Sequence, residues 1–117
     1  MIHLYGIPNC DTVKKARAWL AAQSLDYAFH DFKKEGVAAD RLEQWIAAAG
    51  LDTVVNRRGT TFRALPDADK AALEAGAAGE AVTILQANTS MIKRPVVEHA
   101  GGLLIGFKEA EWRAAFS

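Results

Sequence analysis

Two blocks with short connections, β-α-β at the start and β-β-α at the end, flank a middle of about 50 residues whose periodicity is helical. In the first block, Ile2 to Tyr5 is a β-prone run ended by the turn signal Gly6-Ile7-Pro8-Asn9. A helix follows from Asp11 to about Gln23, with Val13, Ala16 and Leu20 at helical spacing and Lys14, Lys15 and Arg17 off the apolar stripe. Tyr27 and Phe29 then alternate with Ala28 and His30, predicting a strand to about Asp31. In the last block, Val96-Val97 and Leu103-Leu104-Ile105 flank Gly101-Gly102 as in a hairpin, and a helix over Glu109 to Phe116 places Trp112 and Phe116 on one face.

The short links of the first block suit a parallel crossover and those of the last an antiparallel hairpin. A mixed four-stranded sheet with helices on both faces accommodates both. The expected fold is therefore α/β and thioredoxin-like, with an all-helical insertion at about 37–90 in a single domain spanning 1–117. Within the insertion, Leu42, Trp45, Ile46 and Ala49 form an i, i+3, i+4, i+7 stripe with Gly50 at the C-cap position. Asn56-Arg57-Arg58-Gly59-Thr60-Thr61 reads as a polar loop, and helices are expected near 67–76 and 79–87.

Composition narrows the function classes. At 117 residues the chain can bury a core without covalent staples. Fourteen Lys+Arg against 14 Asp+Glu leave no net charge, which argues against attraction of the whole domain to nucleic acid or an anionic membrane. A single cysteine forms no intramolecular disulfide and no Cys-rich zinc site. The start Met1-Ile2-His3-Leu4-Tyr5 does not read as a signal peptide, and no apolar run approaches the ~18 residues of a membrane helix. A soluble, cytoplasmic protein is expected.

The one cysteine is the most informative position. Cys10 lies on the loop that enters the first helix, where unpaired backbone N–H groups and the helix dipole favour thiolate over thiol. Lys14 and Lys15, one turn on, would help if they lean toward the sulfur, and the adjacent Asp11 opposes them. The plainer reading of a free cysteine is a small buried hydrophobe. Arg94-Pro95 opens a predicted strand; in a thioredoxin-like arrangement a cis-proline there would face the cysteine loop, whereas an ordinary trans-proline would open an edge strand. Arg57, Arg58 and Arg94 carry guanidinium groups suited to oxyanions and carboxylates, although a lone arginine is more often a solvated or salt-bridged surface residue. His3, His30 and His99 are scattered, so no metal site is expected, and Trp19, Trp45 and Trp112 fall on apolar stripes as core residues.

Taken together, Tyr5-Gly6-Ile7-Pro8-Asn9-Cys10-Asp11-Thr12-Val13-Lys14-Lys15-Ala16-Arg17-Ala18-Trp19-Leu20, Arg58-Gly59-Thr60-Thr61 and Ile92-Lys93-Arg94-Pro95-Val96 resemble the arsenate reductase/Spx family, in particular its small YffB-like branch. The resemblance runs colinearly over nearly the whole chain. It implies that Cys10 is the nucleophilic thiol and that Arg94 is the oxyanion-binding arginine before the family's cis-proline, Pro95. Arg58 falls on the earlier family arginine, with Arg57 one residue out of register, and Asn9 joins the substrate- or glutathione-binding set. The implied activity is glutathione-dependent thiol reduction, with no permanently bound cofactor and glutathione as co-substrate. Alternatives are arsenate reduction coupled to glutathione and glutaredoxin, and non-catalytic binding to the RNA polymerase α subunit in the manner of Spx. Two departures bear on these. The second cysteine of the family's redox regulators is replaced by Val13, and the third arginine of its arsenate reductases falls on Leu104-Ile105-Gly106-Phe107-Lys108, where Lys108 is the only cation.

Overall fold

The structure, a computed structural model, describes residues 2–76 and 78–116. The chain divides into two compact units, one made of residues up to Glu35 together with those from Arg94 onward, the other of Gly36–Lys93.

The first unit contains β1 (Ile2–Gly6), α1 (Asp11–Ala22), β2 (Tyr27–Asp31), the single turn α2 (Phe32–Glu35), β3 (Val96–His99), β4 (Gly102–Ile105) and, in the last block, a helix over Glu109–Phe116. Its sheet is the mixed four-stranded one expected from the element order, arranged β2-β1-β3-β4. β1 pairs parallel with β2 in the register Leu4↔Phe29 and antiparallel with β3 in the register Leu4↔Val97, and β3 pairs antiparallel with β4 as Val97↔Leu104. Leu4, Phe29, Val97 and Leu104 thus form one row across all four strands on a single sheet face.

That face is covered from the helices. Leu4 and Val97 form one buried cluster with Val13, Ala16, Trp19 and Leu20 of α1 and with Trp112 of the last helix. The apolar stripe of α1 is what the sequence spacing anticipates, with Lys14 and Lys15 left exposed. Arg17 is instead half-buried, its Nε–H donating to the Tyr27 hydroxyl at 3.0 Å and its guanidinium lying 4.2 Å over the Phe29 ring. Leu4, Val13, Leu20, Val97 and Trp112 have no exposed surface, and burying each large side chain contributes roughly 1.5–3 kcal/mol. Trp112 meets Trp19 and Phe107 edge-on, at ring-centroid distances of 5.9 and 4.8 Å, the geometry that aligns ring edges with π faces. α1 lies tightly against the end of β1: a Cβ on Gly6 would stand 2.8 Å from Val13 Cγ2, so only glycine fits there without a shift.

The second unit is helical, with α3 (Ala39–Ala49), the short turns α4 (Leu51–Val54) and α5 (Thr60–Arg63), then α6 (Asp67–Ala75), α7 (Ala78–Ala87) and a 3-10 turn at Thr89–Met91; the helix over Glu109–Phe116 is accordingly α8. Leu42 and Trp45 of α3 are buried and Ile46 and Ala49 half-buried, as their spacing implies, and α3 packs against α7. Gly50 and Gly76 follow α3 and α6 with φ of +89° and +72°, conformations that favour glycine. The stretch 56–61 is only partly loop: Thr60 and Thr61 open α5, a correction to the loop expected there. Four residues of helix carry barely one period, too little for a pattern to register. An isolated antiparallel bridge joins Val55 to Ile92, flanked by Asn56 N–H to the Met91 carbonyl and Lys93 N–H to the Val54 carbonyl, both 2.7 Å. Thr61 and Ser90 hydroxyls meet at 2.9 Å beside it. The bridge thereby fixes the loop carrying Arg57 and Arg58 against residues 91–93 within this unit.

Candidate functional site

Cys10 is the N-cap residue of α1, with extended backbone (φ −89°, ψ 126°). Its N–H donates to the Ile7 carbonyl at 3.2 Å, closing the turn after β1, and its carbonyl accepts the first helical bond from Lys14 N–H at 2.9 Å. The Gly6-Ile7-Pro8-Asn9 turn therefore delivers the sulfur to the helix start. Pro8 and Asn9 are exposed, while Cys10 is half-buried with its side chain against the α1 cluster.

Several groups act on the thiol. Burial opposes the charged form and pushes the pKa up. It is outweighed by a hydrogen bond from the Arg94 side chain, by the backbone N–H groups of Val13 and Thr12, and by the positive charge of Arg94, so the Cys10 thiol lies below its ordinary value. The neutral thiol makes no full capping hydrogen bond. As thiolate it becomes a much better acceptor for those same N–H groups, which is why a helix N-terminus favours ionisation. Lys14 and Lys15 are exposed and are not among the groups lowering the pKa; the cation that acts on the sulfur is Arg94.

Arg94 is half-buried and Pro95 buried, and the Arg94–Pro95 peptide bond is cis. The Pro95 carbonyl accepts from Gly106 N–H at 2.8 Å, one step beyond the Val96↔Ile105 pair of the β3–β4 ladder. Of the residues singled out from sequence, Cys10, Asn9, Arg94 and Pro95 thus belong to the sheet unit, with Arg94 in contact with Cys10.

Arg57 and Arg58 belong to the helical unit. They differ in what holds them. The Arg57 guanidinium is tied to Asp52 at 2.7 Å, whereas Arg58 is exposed and its described contact is through the backbone N–H, on Asn56 Oδ1. The Asn56 side chain closes a local turn that presents Arg58 outward.

The sequence spacing gives no hint of one cluster that the sheet assembles. His3 Nδ1 and His30 Nε2 meet at 2.9 Å on the face opposite the α1 cluster, Tyr5 stacks on His30 with centroids 4.6 Å apart, and the Tyr5 hydroxyl donates to Glu98 at 3.1 Å. The register Tyr5↔His30 and His3↔Glu98 brings these residues together. One proton satisfies both facing ring nitrogens, so the pair is a hydrogen-bonded unit of the sheet. His99 packs on Phe116 instead. Among the described residues no group of three or more His, Cys, Asp and Glu could hold a metal ion. No described helix is long and apolar enough to cross a membrane.

Comparison with known proteins agrees with this geometry. An uncharacterized protein of Haemophilus influenzae is 42% identical over the full length of both chains. The global transcriptional regulator Spx of Listeria innocua is 28% identical, over 97% of this chain and 85% of its own. Among solved structures, the YFFB protein superposes with a TM-score of 0.93 at 46% identity over both whole chains. An arsenate reductase (ArsC) related protein from Brucella melitensis does so with a TM-score of 0.73 at 44% identity, covering 99% of this chain and 94% of that one. The model of the ArsC family matches residues 5–115, a span that begins in β1, contains Cys10, Arg58 and Arg94, and ends in α8. This chain belongs to the ArsC family, on a thioredoxin-like fold.

Proposed function

We propose that this protein is a glutathione-dependent thiol reductase whose nucleophile is Cys10. The observation that carries the reading is the Arg94 side chain bonded to a thiol at the N-terminus of α1. In the reaction, the Cys10 thiolate attacks the glutathione sulfur of a mixed disulfide. The S–S bond breaks, the substrate thiolate leaves with the electron pair and takes a proton from water, and Cys10 is left joined to glutathione. Because the chain holds no second cysteine, and position 13 is Val13, an external thiolate must attack this new disulfide. A second glutathione does so, releasing oxidised glutathione and restoring Cys10.

Arg94, Pro95 and Asn9 are the binding groups of the sheet unit, Arg94 holding a glutathione carboxylate or an anionic substrate once the sulfur is in disulfide form. Arg58 is the second such arginine. The engagement of Arg57 with Asp52 favours Arg58 over its neighbour for that role.

The test is steady-state reduction of a low-mass glutathione mixed disulfide by purified protein, with glutathione regenerated enzymatically. Turnover that vanishes in Cys10→Ser and falls in Arg94→Ala is expected; turnover unchanged in Cys10→Ser removes the reading. A second reading, arsenate reduction, is favoured by the relation to the Brucella protein and by Arg94 beside the thiol. Lys108 offers an arsenate no bidentate donor in place of a third arginine. Arsenate-dependent turnover with glutathione and glutaredoxin both present would raise this reading above the first.

A further inference from the structure

We propose that Trp112 is a positioning residue for Cys10: its indole N–H, acting through the main chain of Gly106 and Pro95, holds Arg94 against the thiol. The proposal rests on the thiolate reading of Cys10, and it requires no particular substrate.

The connection runs through two hydrogen bonds and one stretch of main chain. Trp112 Nε1–H donates to the Gly106 carbonyl at 3.1 Å, and Gly106 N–H donates to the Pro95 carbonyl at 2.8 Å. Pro95 is covalently joined to Arg94, whose side chain bonds the Cys10 sulfur. Gly106 sits at φ +78°, a conformation that lets its two flanking peptide groups serve both bonds and that disfavours any other residue. The indole is itself closely packed. It has no exposed surface, Phe107 and Trp19 pack edge-on to it, and Phe116 lies 6.1 Å away.

The functional weight comes from the balance at the sulfur. Burial favours the neutral thiol, and the Arg94 hydrogen bond is the largest force against it. A hydrogen bond weakens steeply as its angle departs from linearity, so a small shift of the Arg94 backbone costs thiolate. Without the indole donor, the Gly106 carbonyl loses its buried partner, and the segment gripping Pro95 is free to relax toward other donors.

Trp112→Phe removes the N–H and keeps most of the ring. The pH profile of Cys10 alkylation should shift upward by about half a unit, a roughly threefold loss of thiolate on the acid side of the pKa. In the Arg94→Ala background the same substitution should produce no further shift. A merely loosened core would act in both backgrounds or in neither. If Trp112→Phe does not fold, the wild-type protein still decides the matter. The Gly106 amide and Trp112 indole resonances should titrate with the Cys10 pKa in the wild type and stop doing so in Arg94→Ala. An unshifted profile in a folded Trp112→Phe, an equal shift in both backgrounds, or resonances indifferent to Cys10 ionisation would overturn the proposal. A wild-type thiol pKa at or above about 8.5 would instead defeat the nucleophile reading on which it rests.

Discussion

Arg94 and the N–H groups of Thr12 and Val13 favour the same charge state of Cys10, against the burial that opposes it. A hydrogen bond to a charged group contributes about 1.5–3 kcal/mol, and one pKa unit corresponds to about 1.4 kcal/mol. Because Cys10 is half-exposed, the lower end applies, and Arg94→Ala should raise the thiol pKa by about 1 unit, read from the pH dependence of alkylation. A stability effect accompanies this. With the folded pKa below the unfolded one, the unfolded chain binds more protons between the two values, so stability rises with pH across that window. It is fully present above the unfolded pKa of about 8.5 and is lost as pH falls through the folded pKa. Urea midpoints of wild type should therefore gain on those of Cys10→Ser as pH rises through the window, and parallel midpoints would mean that the thiol is unperturbed. Cys10 and the helix-start argument for its ionisation were legible in the sequence, because a strand, the turn Gly6-Ile7-Pro8-Asn9 and an amphipathic helix occur in immediate succession. Lys14 and Lys15, whose help depends on leaning toward the sulfur, stay exposed and are not among the groups that lower the pKa. The cation that acts lies 84 residues further along (94 − 10), where only β1–β3 pairing or a family resemblance could point to it.

At the scale of elements, the β1–α1 junction aims the site, and its closeness has a cost in sequence freedom. Gly6→Ala would force a Cβ to within 2.8 Å of Val13 Cγ2 and should destabilise the protein by about 1–3 kcal/mol. Combining it with Val13→Ala should cost less than the sum of the two single changes, since the second removes the clashing methyls. Additive losses by chemical denaturation would place the strain elsewhere. The longer elements were readable because two or more turns of helix, or two alternating pairs of a strand, repeat a period often enough to see. The turns α2, α4 and α5, four residues each, repeat nothing. The His3–His30 contact was equally invisible. It depends on the register between two strands, and a slip of one residue would have turned one ring to the opposite face. The Trp112–Gly106 bond depends on where α8 returns to the end of β4, which no local pattern encodes.

Across the whole molecule, a neutral charge balance and a single thiol set the terms. On the proposed reading, recognition of an anion falls to placed guanidinium groups and not to the field of the whole domain, with Arg94 at the sulfur as the first of them. Membership of the ArsC family joins this chain both to arsenate reductase-related proteins and to Spx, and Val13 denies it an internal disulfide at Cys10. If Cys10 is the nucleophile proposed above, it completes its chemistry only with a second molecule. The most direct measurement is the intact mass of the protein after incubation with oxidised glutathione near neutral pH, followed by addition of reduced glutathione. One glutathionyl group should attach to wild type, leave on reduction, and be absent from Cys10→Ser; a wild-type protein that remains unmodified while its Cys10 is reduced and accessible to alkylation would contradict the central claim.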